Sequence, residues 1–275
     1  MDRNDTDQEV HHTEQNERES HRTYRRNNIF SAVINIILLL FLVGIIGTVL
    51  EYFGIFNFFP NFGRQGDSGD AFGFWNSDPE FSDVAEDAWV KPFVVELSQE
   101  DVIQGYPNGE FRPERSVTRA EFAAMIESAF GNYITPDIFG YTDIPDEFWA
   151  EDAIAEATAE GFLTGFPNNE YRPEQRLRRV NALVAIVNGL NLGNSAPVEE
   201  VLQVYVDADQ IPGYARAAVA AATEAGLVVN YPYPNQLNPM ASATRGDVAA
   251  FIYQALAEIG EVEEVNSQFI VNPPS

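Results

Sequence analysis

The chain has no cysteine, which excludes disulfides, thiol nucleophiles and thiolate metal sites. Histidine is almost as scarce, because His11, His12 and His21 all precede the first long apolar run. Everything beyond that run therefore lacks the residues for Ser-His-Asp or Cys-His catalysis and for imidazole-built zinc sites. Positive charge is the third shortage. Against 42 Asp and Glu stand 16 Lys and Arg, giving a formal net charge of −26. Such a field repels nucleic acid and anionic lipid surfaces, so no nucleic-acid partner is expected. An anionic ligand would have to be met by a local cluster of arginines. Apolar residues are not short, and a hydrophobic content of 45% supports a packed core.

Residues 1–28 are polar and aperiodic, which predicts a disordered tail. Residues 29–50, from Ile29 to Leu50, form an apolar run whose only strongly polar member is Asn35. As a helix this run reaches about 33 Å, enough to cross a bilayer core. Arg22, Arg25 and Arg26 precede it, whereas Glu51, Asp67 and Asp70 follow with only Arg64 opposing. The charge asymmetry predicts a single-pass transmembrane helix with its N-terminus in the cytoplasm. A cleaved signal peptide is the alternative, but the run is longer than a usual signal core and no Ala-x-Ala-like site follows it. Residues 51–80 mix Gly, Asn and aromatics such as Phe56, Phe58 and Phe59, and read as a linker leaving the membrane interface.

Beyond the linker one passage occurs three times, starting at Phe81-Ser82-Asp83, Tyr141-Thr142-Asp143 and Tyr205-Val206-Asp207. Each copy runs through an aromatic (Trp89, Trp149, Tyr214), an apolar stretch, a turn and a basic segment holding Arg119, Arg179 or Arg245. These arginines recur at intervals of roughly 60 residues, the mark of a repeat architecture. The copies occupy 81–140, 141–204 and 205–260, and 261–275 reads as a disordered acidic tail. Two helices are legible in each copy. The first begins near Trp89, Trp149 or Tyr214 and stops near Gly161 and Gly226 in the later copies. The turn contains Gly105, Gly165 or Asn230, with Asn230 standing in for glycine at a positive φ. The second helix starts at Thr118 and puts Phe122, Met125, Ile126, Ala129 and Phe130 on one stripe. One such pair cannot bury its apolar face alone, but three can. The expected fold is mostly α: three helix-turn-helix repeats in a pseudo-threefold bundle, preceded by one transmembrane helix.

Thr118 and Glu121 have capping-box spacing, as do Thr244 and Asp247. Arg119 then sits at the first helical position, where its charge opposes the helix dipole. An arginine beside unpaired backbone N–H groups would make a carboxylate or phosphate receptor, and an internal ion pair is the alternative. In copy two Arg178 and Asn181 replace the capping pair, while Arg172 and Arg176 add charge. Copy one has Arg112 and Arg115, and copy three has Asn238 where copy one has Arg112. Copies one and two are therefore expected to bind best. Trp89 and Trp149 read either as core anchors or as platforms for a sugar face. Asp83, Asp143 and Asp207 read as caps or turn formers.

The order Phe-x-Asp, Trp, Gly-Tyr-x-x-Gly-x-Phe-x-Pro, Thr-Arg-Ala-Glu-Phe-Ala resembles the S-layer homology repeat, in three tandem copies. The resemblance implies a noncatalytic, cofactor-free bacterial envelope module that binds acidic, pyruvylated polysaccharide attached to peptidoglycan. It gives carboxylate recognition to Arg119, Arg179 and Arg245. Trp89, Trp149, the Gly105 and Gly165 turns, Arg112 and Arg172 would line the grooves. With residues 29–50 in the lipid bilayer, the expected protein is a tether in the cytoplasmic membrane whose repeats face the periplasm or wall. An envelope scaffold that binds a protein partner is the alternative. A wall-degrading enzyme is not expected, since no carboxylate pair stands out among the acidic residues.

Overall fold

The computed structural model describes residues 81–131 and 140–273. The tail, membrane helix and linker expected within 1–80 lie outside the described residues. Among the described residues no helix is long and apolar enough to cross a membrane.

The bundle is organised by three short extended segments, one from each copy, which meet edge to edge. Val117 N–H donates to Ala243 O at 3.0 Å, Ala243 N–H to Leu177 O at 2.8 Å, and Leu177 N–H to Val117 O at 2.9 Å. The ring is closed, so each segment is both donor and acceptor. Val117, Leu177 and Ala243 are buried, and a buried backbone that found no such partners would be strongly unfavourable.

Each segment leads directly into a helix. Copy one contains α1 (Lys91–Gln99) and α2 (Arg119–Phe130), and copy two contains α3 (Glu151–Ala159) and α4 (Arg179–Gly189). A short α5 (Val198–Val201) and several 3₁₀ turns lead into α6 (Arg216–Glu224) and α7 (Arg245–Glu258). The buried faces of α2, α4 and α7 include Phe122, Ile126, Leu183, Ile186, Phe251 and Ile252, and α7 touches both α2 and α4. The two helices of one copy do not form the packing unit that a helix-turn-helix reading suggests. Instead α2 packs on α3, α4 on α6, and α7 on α1. Phe130 stacks on Phe162 at 5.2 Å, and Phe93 meets Tyr253 edge-on at 5.6 Å. Every first helix thus lies on the second helix of the preceding copy, and the last copy closes on the first.

Asp83, Asp143 and Asp207 fix the turns. Asp143 accepts from the backbone N–H groups of Tyr171 and Arg172, both at 2.7 Å. Asp83 does the same for Phe111 and Arg112, and Asp207 for Leu237 and Asn238. Gly105 and Gly165 are needed for close approach, not for a positive φ. A Cβ there would lie 2.6 Å from the Phe81 ring and 2.3 Å from the Tyr141 ring. Asn230 likewise has no positive φ, and its role is set by its buried side-chain amide, described below.

The expected disordered tail is corrected for residues 261–273. Val271 is buried and donates to Val228 O at 2.8 Å, while Asn230 donates to Phe269 O at 2.9 Å. A single bridged pair leaves no periodic sequence signal, so the acidic composition dominated the reading.

Two outcomes are expected from this architecture. Asp143→Ala removes two charge-assisted backbone bonds and lowers stability by about 2–4 kcal/mol in urea unfolding. Deleting 245–275 strips α1 of its partner, and the remaining repeats should lose their cooperative thermal transition, as followed by circular dichroism.

Candidate functional site

The helix starts are already saturated. In α2, Arg119 N–H donates to Gln175 O at 2.9 Å and Ala120 N–H to Pro173 O at 3.0 Å, both carbonyls belonging to copy two. Thr118 and Glu121 form a reciprocal capping box, as do Thr244 and Asp247 at the start of α7. In α4, Arg179 and Val180 donate to Ala241 and Pro239 of copy three. In α7, Arg245 and Gly246 donate to Arg115 and Pro113 of copy one. The unpaired N–H groups expected beside the arginines are therefore absent from these three helix starts, and any anion must be held by side chains.

The arginine side chains follow the same direction around the ring. Arg119, 8% exposed, donates through Nε to Tyr171 O and through Nη2 to Thr164 O, both at 2.8 Å. Arg245 reaches Phe111 O at 2.9 Å and Gln104 O at 3.0 Å. Arg179 reaches Leu237 O at 2.9 Å, Val229 O at 3.3 Å and Asn230 Oδ1 at 2.7 Å. Each guanidinium thus fastens its own helix to the turn of the next copy. Burial lowers the Arg119 and Arg245 pKa values from the ordinary arginine value, and both stay cationic at neutral pH.

Around two of these staples lie further cations. Arg119 sits 5.2 Å from the Phe166 ring, on which Arg172 stacks at 4.0 Å. Arg245 sits 5.1 Å from the Tyr106 ring, with Arg112 at 4.1 Å and Arg115 at 6.0 Å. Arg112 and Arg172 are exposed and pair through Nε with Glu110 at 2.8 Å and Glu170 at 3.0 Å, surface ion pairs of the kind that contribute little to stability. Both have φ 60°, in the left-handed region, and Asn238 follows at 52°. Asparagine tolerates that conformation, whereas arginine there opposes a steric preference of about 1–2 kcal/mol. Arg176 and Arg178 are exposed and have no ion pair among the described residues.

The aromatics divide. Trp89 is half-buried, packs on the core and stacks on Tyr231 with centroids 5.4 Å apart. Trp149 is 62% exposed. Tyr214 is also exposed and donates to Asn181 Oδ1 at 2.7 Å. The structure thus brings Arg119 to Arg172 and Arg245 to Arg112, but it gives the two tryptophans different surroundings. The sequence marks Asn230 only as a turn residue and not as an acceptor for Arg179, and it gives no sign of the carbonyl acceptors, since a backbone acceptor is supplied by any residue type. A cleft beside the C-terminal segment is lined by Glu86, Glu96, Glu100, Glu261, Glu263 and Glu264 with Lys91 opposing them, a lining unfavourable to an acidic ligand.

The family model of the S-layer homology domain matches residues 80–123, 140–179 and 204–249. The chain carries three S-layer homology domains. Each matched stretch contains its copy's clamp aspartate and staple arginine. The chain is 28% identical over 163 residues to Cell surface glycoprotein 1 of Acetivibrio thermocellus. It is also 28% identical over 188 residues to an amylopullulanase of Thermoanaerobacterium thermosulfurigenes, and 28% over 132 residues to a cellulosome-anchoring protein of A. thermocellus. These alignments take in 56%, 67% and 45% of this chain but only 7%, 10% and 29% of the relatives' own length. The S-layer homology domains are thus what the chain shares with proteins of otherwise different names.

Two kinds of arginine should separate by mutation. Arg119→Ala strands two backbone carbonyls and costs about 3–5 kcal/mol in denaturant unfolding. Arg172→Asn relieves the left-handed strain and leaves the melting temperature unchanged or higher. Glu121 supplies a pH test. Burial pushes its carboxyl pKa up, but Arg115 and the Thr118 N–H outweigh this and hold it below the ordinary glutamate value. Its stabilising effect is present above the unfolded glutamate pKa and is lost as pH falls through the depressed folded value. Glu121→Gln should therefore destabilise at pH 7, with the difference from wild type disappearing on acidification.

Proposed function

We propose that the protein is a noncatalytic tether of the bacterial envelope whose S-layer homology domains hold an acidic, peptidoglycan-linked polysaccharide. The observation that carries this reading is local cationic character on a strongly acidic chain. Arg172, Arg176 and Arg178 stand exposed in one copy, against a net charge of −26. A pyruvate ketal on an amino sugar offers the required carboxylate on a compact ring, and exposed Trp149 offers an apolar face for the sugar. The surface and anchoring names of two relatives support the same setting. Residues 29–50 would fix the protein in the cytoplasmic membrane, with the repeats on the periplasmic or wall side.

The chemistry is recognition without turnover. Each charge-assisted arginine–carboxylate contact contributes about 1.5–3 kcal/mol. Occupancy of more than one junction along one polymer makes the second event intramolecular and multiplies the avidity. The staple bonds keep the receptor groups in place before the ligand arrives, so little ordering is needed on binding.

The test is co-sedimentation of the full chain, in mild detergent, with purified sacculi before and after acid stripping of secondary polysaccharide. Stripping should abolish binding. Arg172→Asn/Arg176→Ala/Arg178→Ala should weaken it at least tenfold with an unchanged melting temperature. Binding that survives both treatments would reject the polysaccharide in favour of a protein partner. Alkaline extraction checks the anchor: the full chain should stay with membranes, and a variant lacking 29–50 should be released.

A further inference from the structure

We infer that the three junctions are not equivalent receptors. Asp247 fills the middle one as a built-in carboxylate, leaving the protein two open sites. This rests on the carboxylate-binding reading above and adds which junctions can use it. Every donor nitrogen of Arg179 is engaged. Nε and Nη2 hold Leu237 O, Val229 O and Asn230 Oδ1, and Nη1 pairs with Asp247 Oδ1. The other carboxylate oxygen of Asp247 accepts from Thr244 N–H at 2.9 Å, so the carboxylate is fixed from both sides. Arg179 and Asp247 are 7% and 8% exposed.

The outer junctions differ at the same atom. Arg119 and Arg245 use Nε and Nη2 on backbone carbonyls, and Nη1 has no acceptor among the described residues. Neither Nη1 is sealed off from solvent, in contrast to the buried, unpartnered Nη1 of Arg115. At the third helical position copy one has Glu121, which turns to Arg115 at 2.6 Å rather than to Arg245. Copy two has neutral Asn181 at that position, and its Oδ1 accepts from Tyr214. Only the aspartate of copy three closes onto the staple arginine.

Two further features agree with this division. The second arginine of the outer junctions, Arg112 or Arg172, is replaced by uncharged Asn238. The turn aromatic that flanks Arg119 and Arg245 is missing from Arg179, because Tyr231 stacks on Trp89 instead. Arg179 and Asp247 together are neutral, whereas the guanidinium groups of Arg119 and Arg245 have no carboxylate paired to them among the described residues.

The experiment follows the arginine Nε–H resonances of the nitrogen-15-labelled full chain during titration with sodium acetate, the smallest carboxylate probe. In the wild type Arg119 and Arg245 should shift and Arg179 should not. Asp247→Asn keeps an acceptor for Thr244 N–H and should make Arg179 respond. Asn181→Asp, by the same register, should silence Arg119. An Arg179 response in the wild type, a silent Arg179 in folded Asp247→Asn, or no response at Arg119 and Arg245 would each overturn the inference. Calorimetry with a pyruvate-ketal N-acetylhexosamine glycoside then gives two sites per wild-type chain and three in Asp247→Asn. Acetate responses without glycoside binding would reject the polysaccharide reading alone.

Discussion

The fold depends on buried guanidinium groups donating to main-chain carbonyls of a neighbouring repeat. Backbone carbonyls in an irregular turn have no helix or sheet to satisfy them, and leaving them dry is unfavourable. One arginine answers two such carbonyls at once because its donors lie in a rigid planar fork. Placed at the first turn of a helix, it ties three elements together: its own helix, the next copy's turn and the clamp aspartate that shapes that turn. The ring of Val117, Leu177 and Ala243 sets the register, and the arginines lock it.

This arrangement changes the meaning of the arginine. A residue singled out because it opposes the helix dipole is also a strut, fastening its helix to the turn of the next copy. On the proposed function, recognition falls to its remaining Nη1, the arginine in the left-handed turn and the ring between them, so that structure and recognition would be separable within one junction. Arg112 and Arg172 stand where the backbone favours asparagine, as Asn238 shows, and their strain is of the kind found at functional positions.

Much of this was legible in the sequence. The three copies, the capping boxes at Thr118 and Thr244 and the apolar stripes all follow from periodicity and local chemistry. The exchange of helix partners between copies was not legible, because an apolar stripe says which face is buried and not against what. The role of Asn230 was misread for a similar reason. In sequence it occupies the glycine position of a turn, while in space its amide lies between Arg179 and Pro234 O. Asp247 looked only like a cap, since a sequence shows the pairing of neighbours and not a carboxylate reaching a residue 68 positions away.

The closure of α7 on α1 has a temporal consequence. A chain made from its N-terminus presents α1 first and the helix that covers it last. Phe93, Val94 and Leu97 have no lasting shelter until Tyr253 and its neighbours exist. Early segments must wait, because the contacts that reward them are distant in the chain. Synthesis of α7 is thus the event that commits the bundle, and a product that stops short of it leaves the apolar face of α1 uncovered.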